Sequence, residues 1–145
     1  MKKILFAAVL VLAGFGSMAA GKSINEKLVQ KFRETYPNAV QVSWLEYPES
    51  YTVYFEEKDI KENIIFSKDA TFIRSTRYYT EEYLPFSLVT AIHEKFPKMK
   101  IYGVTEVSTP DSIEYYIKLE DAKTWITIKL DSEANITRLE KFRKA

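Results

Sequence analysis

The chain writes one pattern twice. Leu28, Val29, Phe32, Tyr36, Pro37, Trp44 and Glu46 return as Leu88, Val89, Ile92, Phe96, Pro97, Val104 and Glu106, each pair sixty positions apart. Tyr51, Val53 and Phe55 return as Ile113, Tyr115 and Ile117. The run Asp69, Ala70, Thr71, Phe72, Ile73, Arg74 returns as Glu133, Ala134, Asn135, Ile136, Thr137, Arg138. The offset widens slightly along the way, as it does where loops absorb length changes. A duplication constrains architecture more than chemistry, because both copies must present the same apolar positions to a core.

Local periodicity indicates what each copy is. Leu28, Val29, Phe32 and Tyr36 form one apolar stripe at helical spacing, with Ser23 or Asn25 as the cap and Pro37 and Asn38 as the stop. Leu88, Val89, Ile92 and Phe96 repeat the stripe between Pro85 or Ser87 and Pro97. After each stripe the period drops to two. Strands are expected over 40–44, 51–55, 64–66 and 72–79, and again over 101–107, 113–119, 125–130 and 136–142. Short successive strands favour antiparallel meanders over parallel crossovers. The expected fold class is therefore α+β: a tandem repeat of one helix followed by a four-stranded antiparallel meander. The repeats span 20–84 and 85–145 and form one compact domain, with the helices packed on one face of the sheet.

Alternation then divides the strand residues between faces. Tyr51, Val53, Phe55, Ile64 and Phe66 should face the helices, as should Ile113, Tyr115, Ile117, Leu119, Ile126, Ile128 and Leu130. Thr52, Tyr54 and Glu56 should face away, with Glu114, Tyr116, Lys118, Trp125, Thr127 and Lys129. A sheet covered on one side leaves the other to water, so the open side should display Tyr54, Tyr116 and Trp125.

The first residues read as a secretory leader rather than as part of the fold. Lys2 and Lys3 precede an apolar run over 4–15, and Ser17 and Ala19 supply the small residues of a cleavage site. The expected signal peptide is 1–19. The run is short for a membrane anchor, which takes about 20 apolar residues, and no cysteine follows it to carry a lipid. The protein is expected to be periplasmic or secreted after cleavage, with no stable membrane anchor.

Composition excludes several chemistries. The chain has 21 basic and 20 acidic residues, and loss of Lys2 and Lys3 with the leader tips the balance to about −1. That is no match for the phosphate charge of nucleic acid. There are no cysteines, so there is no disulfide framework, thiolate nucleophile or Cys-ligated metal, and packing alone must stabilise an exported fold. His93 is the only histidine; it follows the apolar Ile92 and reads as a solvated or half-buried helix residue, since one imidazole builds neither a metal site nor a triad. Carboxylates such as Glu49, Glu57, Asp59, Glu62 and Asp121 fall in turns or along strands, and no two stand out as a catalytic pair. Glu46 and Glu106 occupy matching repeat positions; a shared acid can be a functional ligand, but more often it marks a strand end or a salt bridge common to both copies. Gly103, beyond the leader and apart from the other glycines, reads as a strand bulge. Tyr78 and Tyr79, with Tyr83 nearby, sit at the junction of the copies beside Arg74 and Arg77, where they either pack the seam or form a contact surface. No cofactor or metal is expected.

The sequence Phe32, Tyr36-Pro37-Asn38-Ala39, Val42, Trp44, then Tyr51, Val53 and Phe55, resembles the PepSY-like, β-lactamase-inhibitor-like family of exported Bacteroidetes proteins. Arg77-Tyr78-Tyr79, Leu84-Pro85 and Gly103-Val104-Thr105-Glu106 are similar too. The resemblance spans the mature chain. It implies an antiparallel sheet with helices packed on it, like that of β-lactamase inhibitor protein, whose open sheet face grips a partner protein; it supplies no catalytic residues. Lys98-Met99 replaces Asn38-Ala39 in the second copy, so the copies are not interchangeable.

The functional expectation is an exported, non-enzymatic protein- or peptide-binding module acting through the open sheet face, inhibitory where its partner is an envelope or secreted enzyme. Tyr54, Tyr116 and Trp125 are the expected anchors, Glu56, Arg74 and Lys118 a polar rim, and Tyr78 a further contact. The alternative is a periplasmic small-ligand binding or sensing protein using a cavity between sheet and helices. A hydrolase would require a close carboxylate pair in a cleft. An aromatic face can also bury itself against a second copy, so the expected state is monomer or homodimer.

Overall fold

The computed structural model describes residues 24–145; the leader expected over 1–19 lies outside the described residues. Helix α1 spans Glu26–Thr35. Asn25 caps it by accepting a hydrogen bond from the Lys27 N–H at 3.1 Å, and Glu26 and Arg33 sit at the ends that suit their charges. The helix stops where a proline bars its last residue from helical angles: Tyr36 adopts φ −122°, ψ 66° before Pro37. Helix α2, Phe86–Lys95, ends the same way, with Phe96 at φ −130°, ψ 61° before Pro97.

The strands are β1 (Val40–Glu46), β2 (Ser50–Glu57), β3 (Ile60–Ser67) and β4 (Phe72–Tyr79), then β5 (Lys100–Ser108), β6 (Ile113–Glu120), β7 (Thr124–Asp131) and β8 (Ile136–Arg143). A 3-10 turn over Glu81–Tyr83 leads from β4 into α2. Lys58 and Asp59, both at positive φ, make the tight β2–β3 hairpin. The register slips between Ile101 and Gly103, so Gly103 does mark a bulge.

The expected α+β tandem repeat, a helix plus a four-stranded meander made twice, does not describe this architecture. The described residues form a single eight-stranded antiparallel sheet in the order β1 to β8, bearing two helices, and 19% of them are helix and 52% strand. Periodicity identifies strand residues but carries no information on which strand edges meet. Here β4 pairs directly with β5, from Ser75 opposite Ser108 to Tyr79 opposite Val104, and the sheet runs on without a break. The core is also lopsided. One small aromatic cluster holds Phe32, Val53, Phe55 and Ile64, with Tyr36 and Trp44 packed against it. A larger, mostly aliphatic cluster holds Leu88, Ile92, Ile117, Leu119, Ile128 and Leu130, and draws Ile60 and Tyr79 across from the first half of the chain.

The expected face assignments hold at most positions. Tyr51, Val53, Phe55, Ile64, Tyr115, Ile117, Leu119, Ile126, Ile128 and Leu130 are all buried. Two positions depart from them. Ile113 is exposed, because it opens β6 at the end of the sheet. Thr52 faces away from the helices yet is 4% exposed; it is a short side chain between the longer Leu45 and Ile65 on the flanking strands. No helix among the described residues is long and apolar enough to cross a membrane.

Ile117 is completely buried, so Ile117→Ala should cost about 2–5 kcal/mol in urea unfolding. Asn25→Ala should cost about 1 kcal/mol, the worth of the cap.

Candidate functional site

The face turned away from the helices carries a row of side chains that crosses six strands. Glu56 stands opposite Lys61, Lys61 opposite Tyr78, Tyr78 opposite Thr105, Thr105 opposite Tyr116, and Tyr116 opposite Lys129. Three of the expected site residues, Glu56, Tyr78 and Tyr116, therefore lie in one line, and the β4–β5 pairing is what aligns them. Tyr54 sits one row over, opposite Asn63; Lys118 sits one row over on the other side, opposite Gly103 and Thr127. Trp125 follows, between Glu120 and Phe142. Tyr54 and Tyr78 are 42% and 47% exposed, and Tyr116 and Trp125 are half-buried.

Two shallow concavities mark this face. One, of about 380 Å³, is lined by Tyr78, Tyr102, Gly103, Tyr116, Lys118 and Thr127, among others. The other, of about 330 Å³, is lined by Gln41, Tyr54, Glu56, Lys61, Asn63 and Tyr78, among others. Tyr78 borders both. Arg74 lines neither: it lies in the row of Thr52 and Ile65, away from the remaining expected residues.

Cations and rings are interleaved here. The Lys118 Nζ lies 4.7 Å from the Trp125 ring centroid and the Lys144 Nζ lies 4.2 Å from it, while Tyr102 meets the Trp125 ring edge-on at 4.9 Å. Lys129 is 5.8 Å from the Tyr116 ring and 2.6 Å from Glu114, which also accepts from the Tyr116 hydroxyl at 3.0 Å. The hydrogen bond and ion pair from Lys129, with the Tyr116 hydroxyl, hold the Glu114 carboxyl below its usual range. Sequence reasoning missed Tyr102. Plain alternation puts it with Val104 and Glu106, which face the helices; the bulge at Gly103 flips it to the open side. The glycine was the available signal.

The opposite face hides a charged cluster that sequence reasoning did not assemble. Glu62 of β3, Arg77 of β4 and Glu106 of β5 stand in one row across the seam. The Arg77 guanidinium lies 3.3 Å from one Glu106 oxygen and 3.6 Å from Glu62. The buried Tyr79 hydroxyl donates to Glu106 at 2.5 Å. Glu106 is thus a salt-bridge partner, as is its repeat counterpart Glu46, which lies 2.7 Å from Lys68. Tyr78 and Tyr79 part company: the first lies on the open face, the second is sealed in the core. Alternation separates them: Tyr79 packs the seam, while Tyr78 is exposed on the other face. His93 is exposed, with its Nε2 3.0 Å from Glu81.

Burial pushes the Glu62 carboxyl up to about 7; Arg77 opposes the shift, while Glu106 and Glu57 add to it. Burial, with Glu62 next, also raises the nearby Tyr36 phenol. A carboxyl raised in the folded state binds its proton more tightly there than when unfolded, so stability falls as pH rises from about 4.5 to 7. The loss should be on the order of 2 kcal/mol. Urea midpoints measured across that window should show it, and Glu62→Gln should flatten the slope relative to the parent chain.

No protein-family model matches this chain, and neither does any curated protein. Solved structures do. The chain is similar to a BLIP-like protein from Bacteroides fragilis NCTC 9343, at 18% identity over 83% of this chain and 86% of that one, with a TM-score of 0.59. It is similar to a "putative periplasmic" protein from Bacteroides eggerthii DSM 20697, at 16% identity over 83% and 89%, TM-score 0.59. It is also similar to a DUF2874 family protein from Bacteroides uniformis ATCC 8492, at 16% identity over 82% and 88%, TM-score 0.58. At these identities the likeness establishes the fold: the β-lactamase-inhibitor-like part of the sequence resemblance stands at that level, the PepSY-like part gains no support, and the chain has the fold of the BLIP-like proteins of Bacteroides.

Proposed function

We propose that the protein is an exported, non-enzymatic module that binds a protein or peptide of the cell envelope through the open face of its sheet. The observation that carries this reading is the interleaved set of Tyr54, Tyr78, Tyr102, Tyr116, Trp125 and Lys118 on a face that no helix among the described residues covers. Aromatic rings supply most of the binding energy at protein contacts, and charged neighbours set orientation. Glu56 and Lys118 form the polar rim; Arg74 stands apart and is assigned no role. The fold supports the reading, since a BLIP-like protein from Bacteroides fragilis shares it at 18% identity. Occlusion of an enzyme is one consequence such binding would have.

A second reading, small-ligand binding or sensing, has one observation in its favour. An apolar cavity of about 400 Å³ lies between α1 and the sheet, lined by Phe32, Tyr36, Ile64, Phe66 and Phe72, with Lys31 and Ser75 among its polar groups.

Affinity capture from a native envelope extract separates the two readings. Mature residues 20–145 should retain a partner that a Tyr54→Ala/Tyr116→Ala/Trp125→Ala variant loses, with affinity down by at least about a hundredfold. Equal retention by both, provided the variant keeps the parent's urea midpoint, would overturn the open-face reading and favour the cavity.

A further inference from the structure

The two edges of the sheet are built differently. β8 carries Arg138, Glu140, Lys141 and Arg143 and has a bulge opposite Thr127 and Ile128. Charges and bulges of this kind deter the addition of another strand. β1 has a single charged residue, Glu46, and Lys68 neutralises it at 2.7 Å. Val40, Val42 and Leu45 of β1 are all exposed. Its bulge sits at the start, between Val40 and Ser43, and leaves Ser43, Trp44, Leu45 and Glu46 in regular register with β2.

That register shows which main-chain groups are free. The Tyr47 N–H donates to the Ser50 carbonyl at 2.8 Å, and Leu45 and Ser43 follow at alternate positions, opposite Thr52 and Tyr54. Hydrogen-bonded pairs alternate along an antiparallel ladder. Ser43 and Leu45 therefore turn their main-chain groups toward β2, and Trp44 and Glu46 turn theirs outward, where no strand follows among the described residues. Beside this edge runs a groove of about 500 Å³ between β1 and α1, lined by Val29, Phe32, Tyr36, Val42 and Trp44, with Arg33 as its one charged residue. Arg33 makes no ion pair among the described residues.

We propose that the β1 edge accepts an extended peptide as an added strand, with alternate apolar side chains in the groove and a free C-terminal carboxylate against Arg33. The free N–H and C=O groups of Trp44 and Glu46 supply main-chain hydrogen bonds, and the groove reads every second side chain. The apolar lining selects Val- or Leu-like residues, and the single cation selects an anionic end. This surface is independent of the aromatic face, which lies on the other side of the sheet.

The test uses labelled peptides about six residues long that alternate valine and threonine. One ends in a free carboxylate, one in a carboxamide, and one carries N-methyl groups at alternate residues to block strand pairing. Fluorescence anisotropy with mature residues 20–145 should show binding of the carboxylate peptide, about tenfold weaker binding of the carboxamide, and none of the N-methylated peptide. Val42→Lys should weaken binding at least about tenfold, and Arg33→Gln should abolish the preference for the carboxylate. Tyr116→Ala/Trp125→Ala should leave peptide binding unchanged, which keeps this result separate from that of the open face. The proposal is overturned if the N-methylated peptide binds as well as the parent, if the carboxylate peptide fails to bind at millimolar concentration, or if Arg33→Gln leaves the preference intact. Sedimentation showing a dimer that Val42→Lys dissolves would also overturn it, by making a second copy the occupant.

Discussion

The pairing of β4 with β5 is the contact on which the rest of the molecule depends. It joins the two halves of the chain through five registered residue pairs, and on the helix side Arg77 ties it to its neighbours by sitting between Glu62 and Glu106. A guanidinium between two carboxylates is stabilising only if the site is polar enough to offset desolvation. Tyr79 and Ser108 help by donating to Glu106. Glu62 has no such donors among the described residues, and it is the group whose ionisation burial penalises. The seam is thus held by one well-satisfied carboxylate and one poorly satisfied one.

What the seam makes possible is a continuous surface. Without it, Glu56 and Tyr78 would belong to one patch and Tyr116 and Lys129 to another. With it, they form a single row, and the two concavities meet at Tyr78. The helices leave this face bare because both stand on the other side, where the apolar residues of alternate positions gather. An eight-stranded sheet is roughly 35 Å across, from about 4.8 Å per strand spacing, whereas two helices side by side cover roughly 20–24 Å. The outer strands therefore extend past the cover, which is why β1 and β8 are mostly exposed.

The two halves have diverged in how they hold their helices. α1 rests on a small set of rings, with Phe32 edge-on to Trp44 at 5.4 Å and to Phe55 at 5.0 Å. α2 rests on a larger aliphatic bed that includes Met99, the residue that replaces Ala39 of the first half. The thinner seat of α1 leaves room beside it on both flanks, where an apolar cavity and an apolar groove lie. A position that differs between the copies in sequence thus coincides with a difference in how much of the core is filled.

Much of the local structure was legible in the residues. Helix stops follow from Tyr36-Pro37 and Phe96-Pro97, because proline restricts the residue before it, and strand faces follow from alternation, because successive side chains point to opposite sides of a pleat. The Gly103 bulge was legible too, although its effect on Tyr102 was not drawn from it. β3 was read as three residues because Lys61, Glu62 and Asn63 break the apolar pattern; Glu62 lies on the buried face against Arg77, and a buried charge is invisible to a reading based on hydropathy. The division of the sheet was misjudged for a different reason. Strand pairing across the seam is a contact between residues some thirty positions apart, such as Arg77 and Glu106, and no local pattern encodes it. The sequence by itself determined which segments are helix or strand and which side chains share a face, since those depend on steric restriction and period. Only the tertiary structure decided that eight strands make one sheet, that Tyr78 aligns with Tyr116, and that β1, with its one carboxylate paired to Lys68, ends the sheet among the described residues, since those depend on which edges meet in space.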